Sequence, residues 1–154
     1  MGNLIRVLVG DDCGDDQYFL ARAFQRACPN AILDLVQNGQ EVIQYLEDPF
    51  KPRPSLLILD TVMAKINGFD VLVWLRATKA YEELPVIMLS GNAYEQNAIR
   101  AKDLGAAYVF KPDDPGDLDA MAQNWTRLYL TPRVHICETG SSRPQNRVSG
   151  SLGQ

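Results

Sequence analysis

Apolar positions along this chain fall into two alternating patterns. Short dense runs occur at Ile5-Arg6-Val7-Leu8-Val9, Leu56-Leu57-Ile58-Leu59, Val86-Ile87-Met88-Leu89 and Tyr108-Val109-Phe110. Such runs suit strands buried on both faces, as in a parallel sheet. Residues 31–36 read as one further strand. Between the runs, apolar residues recur at helical spacing: Phe19, Leu20, Ala23, Phe24 and Ala27; then Val42, Ile43 and Leu46; then Val71, Leu72 and Leu75. A fourth helix is predicted over residues 93–104, ending at Gly105, and a fifth over 117–130. Asp15 or Asp16 is the expected cap of the first helix. Pro29-Asn30, the proline-rich stretch 48–54 and Pro85 punctuate the pattern, and Asn38-Gly39 and Asn67-Gly68 lead into helices two and three. Strand and helix alternating five times through short connections predict an α/β domain with a parallel sheet and right-handed crossovers.

The ends of the strand-like runs carry the chemistry. The first leads to Asp11 and Asp12, the third-strand run to Asp60, the next to Ser90 and the last to Lys111. In an open parallel sheet those ends converge on one edge, where such folds place their sites. Asp11 and Asp12 have a plainer reading as helix-capping or solvated acids. Beside Asp60, however, they would repel without compensation, which favours a shared cation. Three carboxylates make an oxygen-rich pocket suited to Mg²⁺. Ser90 has a plainer reading as a strand end and Tyr108 as core. Cys13, next to the acidic pair, reads as an inert thiol.

Composition narrows the function classes. The chain has 154 residues, 46% hydrophobic and 22% charged, enough for one globular domain with a core. No apolar run approaches the roughly 18 residues of a membrane span. The start lacks the basic and apolar regions of a signal peptide, which makes a cytoplasmic protein the expectation. Cys13, Cys28 and Cys137 lack CxxC spacing, and with His135 they form no zinc pattern. Residues 1–131 carry 12 Lys and Arg against 18 Asp and Glu, while the rest carries Arg133, Arg143 and Arg147 against Glu138. An acidic body argues against nucleic acid as a partner. The polar stretch from Thr139 onward is too poor in apolar residues to build a core, so the expected division is a domain over 1–131 and a disordered tail over 132–154.

With Asp11-Asp12, Asp60, Met63 three residues on, Gly68 eight on, Ser90, Tyr108 and Lys111-Pro112 in order at strand ends, the chain resembles the receiver domain of two-component response regulators over residues 4–131. The resemblance implies a flavodoxin-like (βα)5 fold with strand order 2-1-3-4-5. It makes Asp60 the acceptor of a phosphoryl group, and Asp11, Asp12, Asp60 and the carbonyl of Val62 the ligands of Mg²⁺. Lys111 becomes the cation at the phosphoryl group, and Ser90 with Tyr108 the switch. A histidine kinase or phosphotransfer protein is the implied donor. A downstream protein, or a second copy of this chain, is the implied partner of the face formed by helix 4, strand 5 and helix 5. The Lys111-Pro112 bond is expected to be cis, since X–Pro is the peptide whose cis form is cheap enough to keep.

The last helix also resembles that of single-domain receivers paired with phytochrome-type histidine kinases. Ala64, Gly10 and Val62 depart from the commoner residues of the family. A degenerate receiver that binds protein without phosphorylation is the alternative. A haloacid-dehalogenase phosphatase needs a second acid two residues after Asp60, where Val62 stands. A dinucleotide-binding domain needs GxGxxG, where this chain has Gly10-Asp11-Asp12-Cys13-Gly14.

Overall fold

The computed structural model describes residues 4–91 and 95–131. Along them run β1 (Ile5–Gly10), α1 (Gly14–Ala27), β2 (Ala31–Val36), α2 (Gly39–Glu47), β3 (Leu56–Asp60), α3 (Gly68–Ala77), β4 (Val86–Ser90), α4 (Glu95–Asp103), β5 (Ala107–Phe110) and α5 (Asp117–Trp125). One turn of 3-10 helix, Lys79–Tyr81, precedes β4, and α5 runs on as a π-helical turn over Thr126–Leu130. All strand pairs are parallel, in the order β2-β1-β3-β4-β5. The expected alternation and the flavodoxin-like order are both present. Position 93, where the fourth helix was expected to begin, lies outside the described residues, as do the expected tail, His135 and Cys137.

Burial explains the dense apolar runs. Every residue of β3 and β4 is buried, whereas the edge strands β2 and β5 are mostly half-buried. Successive strand residues point to opposite faces. Leu57 and Leu59 therefore pack with Val42, Val71, Leu72 and Leu75 of α2 and α3. Leu56 and Ile58 pack with Leu20, Phe24, Leu118 and Trp125 of α1 and α5. Each such side chain contributes about 1.5–3 kcal/mol when fully buried, so the three central strands dominate the stability of the fold. Trp125 stacks on Phe24 at 6.1 Å, and Trp74 lies against Tyr81 at 6.4 Å. Both tryptophans therefore serve the helix layers. Among the described residues, no helix is long and apolar enough to cross a membrane.

Helix starts set the loops at the carboxyl edge of the sheet. The side chains of Asn38 and Asn67 accept hydrogen bonds from the Glu41 and Asp70 amides at 2.9 Å, so both Asn-Gly pairs are true N-caps. The first helix departs from expectation. Neither Asp15 nor Asp16 caps it; Cys13 is the N-cap, without a side-chain cap bond, and both acids stand in the first turn. The reason is local. The Cys13 amide is taken by the Asp11 carboxylate at 2.9 Å, and the Cys13 carbonyl already accepts from the Gln17 amide at 3.1 Å. The helix has begun before either aspartate can cap it.

Candidate functional site

The strand register brings the predicted residues together. Gly10 pairs with Leu59, and Asp60 with Leu89, so β1, β3 and β4 end almost level. Asp11 follows β1 directly and is only 1% exposed; Asp60 closes β3 at 7% and Ser90 closes β4 at 1%. Asp12 is exposed. One carboxylate oxygen from each of Asp11, Asp12 and Asp60 lies within 4.8 Å of the others. Lys111, just past β5, sends its ammonium to 3.3 Å from Asp11 Oδ2 and 3.3 Å from Asp60 Oδ2.

Two glycines make this approach possible. A Cβ at Gly10 would meet Val42 Cγ2 at 2.6 Å and Leu59 Cδ2 at 3.2 Å, so a side chain there would require α2 and β3 side chains to shift. A Cβ on Gly68 would collide with the Asp60 carbonyl, and without one α3 starts directly under the end of β3. The loop between them carries Lys65 in the left-handed region, φ +68°, where a side chain costs about 1 kcal/mol.

Electrostatics at the site are those of an anion cluster waiting for more positive charge. Burial pushes the Asp11 carboxyl up to about 6, against the pull of the Cys13 amide and the Lys111 ammonium, with Asp60 and Asp16 adding repulsion. Burial draws the Lys111 pKa down, but the hydrogen bond to Asp16 and the charges of Asp11, Asp60 and Asp16 outweigh it and hold the ammonium above its ordinary value. An all-oxygen set of three carboxylates, one of them buried, fits a hard divalent cation such as Mg²⁺. Asp11, Asp12 and Asp60 would hold it through their carboxylates. The Val62 amide donates to Asp60 Oδ1 at 3.2 Å, while its side chain is 66% exposed. Residue 62 thus adjoins Asp60 through its backbone.

The expected switch residues are placed differently from each other. Ser90 is buried, and its hydroxyl accepts a hydrogen bond from Thr61 Oγ1 at 3.2 Å. Its carbonyl accepts from the Lys111 amide at 2.8 Å, which ties β4 to the lysine. Tyr108 is half-buried, lies edge-on to Phe110 at 6.0 Å, and packs on the α2–α3 side of the core. The Lys111-Pro112 bond contradicts the cis expectation: no described peptide bond is cis. The Lys111 amide continues the β4 pairing, and the long side chain alone spans the gap to Asp60. The trans form, favoured by about 0.5–1 kcal/mol, therefore suffices.

Two participants escape the sequence pattern. Gln17 is 6% exposed and donates through Nε2 to the Asp11 and Val36 carbonyls at 2.8 Å each, pinning the loop that carries the acidic pair. Asp16 lies 2.7 Å from Lys111 Nζ, nearer than either acid of the cluster. Gln17 is a lone polar residue in a helical stripe of α1, and Asp16 looks like a capping acid. Their spacing carried no further signal.

Comparison with known proteins gives a family and a fold. The profile of the response regulator receiver domain matches residues 7–123. The response regulator Rre1 of Synechocystis sp. is 29% identical over 119 residues, covering 77% of this chain and 49% of that protein. The chain spans about half the length of the first curated relatives it matches, 49% in each of two cases. Among solved structures, the phosphorylated cyanobacterial phytochrome response regulator RcpA superposes with a TM-score of 0.78 at 22% identity, covering 84% of this chain and 96% of that one. A response regulator in red light signaling of R. palustris gives a TM-score of 0.70 at 28% identity, covering 92% and 99%.

Proposed function

The chain belongs to the family of response regulator receiver domains, and from that premise we propose that it accepts a phosphoryl group on Asp60 and relays the change to a protein partner. The observation that carries this reading is the placement of one ammonium, Lys111 Nζ, 3.3 Å from both Asp11 and Asp60 inside a cluster of three acids. An isolated surface acid has no need of such company.

The chemistry follows from those groups. A carboxylate oxygen of Asp60 attacks the phosphorus of a phosphorylated imidazole or of a small acyl phosphate. The new O–P bond forms as the bond to the leaving nitrogen or oxygen breaks, and the electron pair departs with the donor. Both reactants are anions, so the step needs positive charge already in place. Asp11, Asp12, Asp60 and the Val62 carbonyl would hold Mg²⁺, which when bound would neutralise charge on the phosphoryl oxygens as a Lewis acid. Lys111 brings its ammonium to one of those oxygens and remains there in the product. The Ser90 hydroxyl donates to another after leaving its contact with Thr61. Hydrolysis by water then resets Asp60.

Output runs through Ser90 and Tyr108. Movement of Ser90 opens space beside β4 into which the half-buried Tyr108 ring turns. The face that feels this is α4, β5 and α5, where Ile99, Phe110 and Leu128 are exposed. A downstream protein or a second copy of the chain docks there. The likeness to response regulators of phytochrome and red light signaling supports a photoreceptor histidine kinase, or a phosphotransfer protein serving one, as the donor. Such donors work in the cytoplasm, where we place this chain.

Intact mass after incubation with acetyl phosphate and Mg²⁺ tests the reading. One added phosphoryl group is expected in the wild type and none in Asp60→Asn. No added mass in either would leave a receiver that binds its partner without phosphorylation. Hydrogen exchange with beryllofluoride checks the output face, and changes confined to α1 and α2 would place it elsewhere.

A further inference from the structure

Lys111 has three carboxylate partners, and they are not equivalent. Asp11 and Asp60 lie at 3.3 Å and belong to the acid cluster; Asp16, in the first turn of α1, lies at 2.7 Å and does not. The same ammonium donates a hydrogen bond to Asp16 Oδ2. A divalent cation at the cluster would draw the charge of Asp11 and Asp60 to itself and repel Lys111. Asp16 is then the contact that remains. It matters because the lysine has somewhere to go: its side chain is 22% exposed, and a cavity of about 220 Å³ opens beside it, with Asp16 at its wall and Phe19, Leu20, Pro112, Asp113 and Leu118 lining the rest. A flexible four-carbon stem with a strongly hydrated head would swing into that space and toward water once its partners were occupied.

Resting on the phosphoacceptor reading of the site, we infer that Asp16 is a positioning residue that keeps Lys111 at the acceptor while the other acids are engaged. Asp16 touches neither phosphorus nor any atom whose bonds change. It acts through the lysine alone, by holding the ammonium where the phosphoryl oxygen will arrive. The orientation of one helical turn of α1 thereby sets how often the site is complete. Because Asp16 is itself part-exposed, with 37% of its side chain open to solvent, it can be replaced without leaving a hole in the core.

Two measurements on the full chain in saturating Mg²⁺ decide this. The first reads the lysine without any phosphoryl transfer. Trace acylation by acetic anhydride, quantified at Lys111 by mass spectrometry, is expected to run several-fold faster in Asp16→Asn than in wild type. Asp16→Glu is expected to restore slow labelling. The second reads the rate of phosphoryl acceptance from acetyl phosphate. Asp16→Asn is expected to be roughly tenfold slower, and adding it to Lys111→Ala is expected to cost nothing further. Equal labelling of Lys111 in wild type and Asp16→Asn, or rate losses that multiply in the double variant, would overturn the inference. Failure of the wild type to accept a phosphoryl group would instead overturn the phosphoacceptor reading, and the labelling experiment would still decide the role of Asp16.

Discussion

The sheet has a cation at each end, and the two are used in opposite ways. At the carboxyl edge, Lys111 faces three carboxylates at 2.7–3.3 Å. At the amino edge, Arg76 in the last turn of α3 donates, among the described residues, to backbone carbonyls. Its Nε donates to the Leu104 carbonyl at 2.6 Å, Nη1 to the Tyr81, Glu82 and Leu84 carbonyls at 2.9–3.3 Å, and Nη2 to the Gly105 carbonyl at 3.2 Å. Those carbonyls belong to the segments that enter β4 and β5. A planar guanidinium with fixed donors ties the two segments together. A single ammonium on a flexible stem suits partners that change. Fixed backbone partners stand at one end of the sheet and exchangeable charge at the other.

Breaking the stitched end should have the largest effect on folding. Arg76→Ala is expected to cost about 2–4 kcal/mol in urea unfolding, because several carbonyls lose a charged donor at once. Phosphoryl acceptance by the surviving folded fraction should change less than about twofold, since the amino edge lies a strand's length from Asp60. A loss under about 1 kcal/mol would show that the clamp is ornamental.

Removing charge from the other end should do the reverse and stabilise. The Asp11 carboxyl is raised from 3.8 to about 6 in the fold, chiefly by burial, so the native state holds that proton more tightly than the unfolded chain does. Above about pH 6 the folded protein carries an unfavourable buried charge, a penalty of up to about 3 kcal/mol that fades as pH falls toward 3.8. Asp11→Asn is therefore expected to raise metal-free stability by about 1–3 kcal/mol at pH 7, and by little at pH 4. Saturating Mg²⁺ should abolish the advantage by stabilising the wild type alone. Thermal unfolding at the two pH values, with and without the ion, checks all three statements. An Asn variant no more stable at pH 7 would mean that Lys111 already neutralises the site.

The smallest effect sharpens the contrast. Lys65, in the loop that follows Asp60, holds φ +68° without being glycine. Lys65→Asn is expected to gain about 0.5–1 kcal/mol in chemical denaturation. No gain would remove backbone strain from the account of the site end.

Much of this was legible in the chain itself. The dense runs at 56–59 and 86–89, alternating with helical stripes, pointed to strands buried on both faces, because a parallel sheet under two helix layers offers such burial. Strand ends specified Asp60, Ser90 and Lys111 as neighbours, because parallel strands all point their carboxyl ends the same way. Three things needed the tertiary structure. Lys111-Pro112 is trans because the β4 pairing and the reach of the lysine already satisfy the site. Asp16 pairs with Lys111 and does not cap the helix, because a contact across 95 residues depends on how α1 packs against α5 and so on where it meets the chain just past β5. Arg76 reads as an ordinary basic residue at a helix end; that it closes the amino edge follows from where two remote turns fall around it. Periodicity reports which face a residue shows, and it is silent on which distant atoms meet it there.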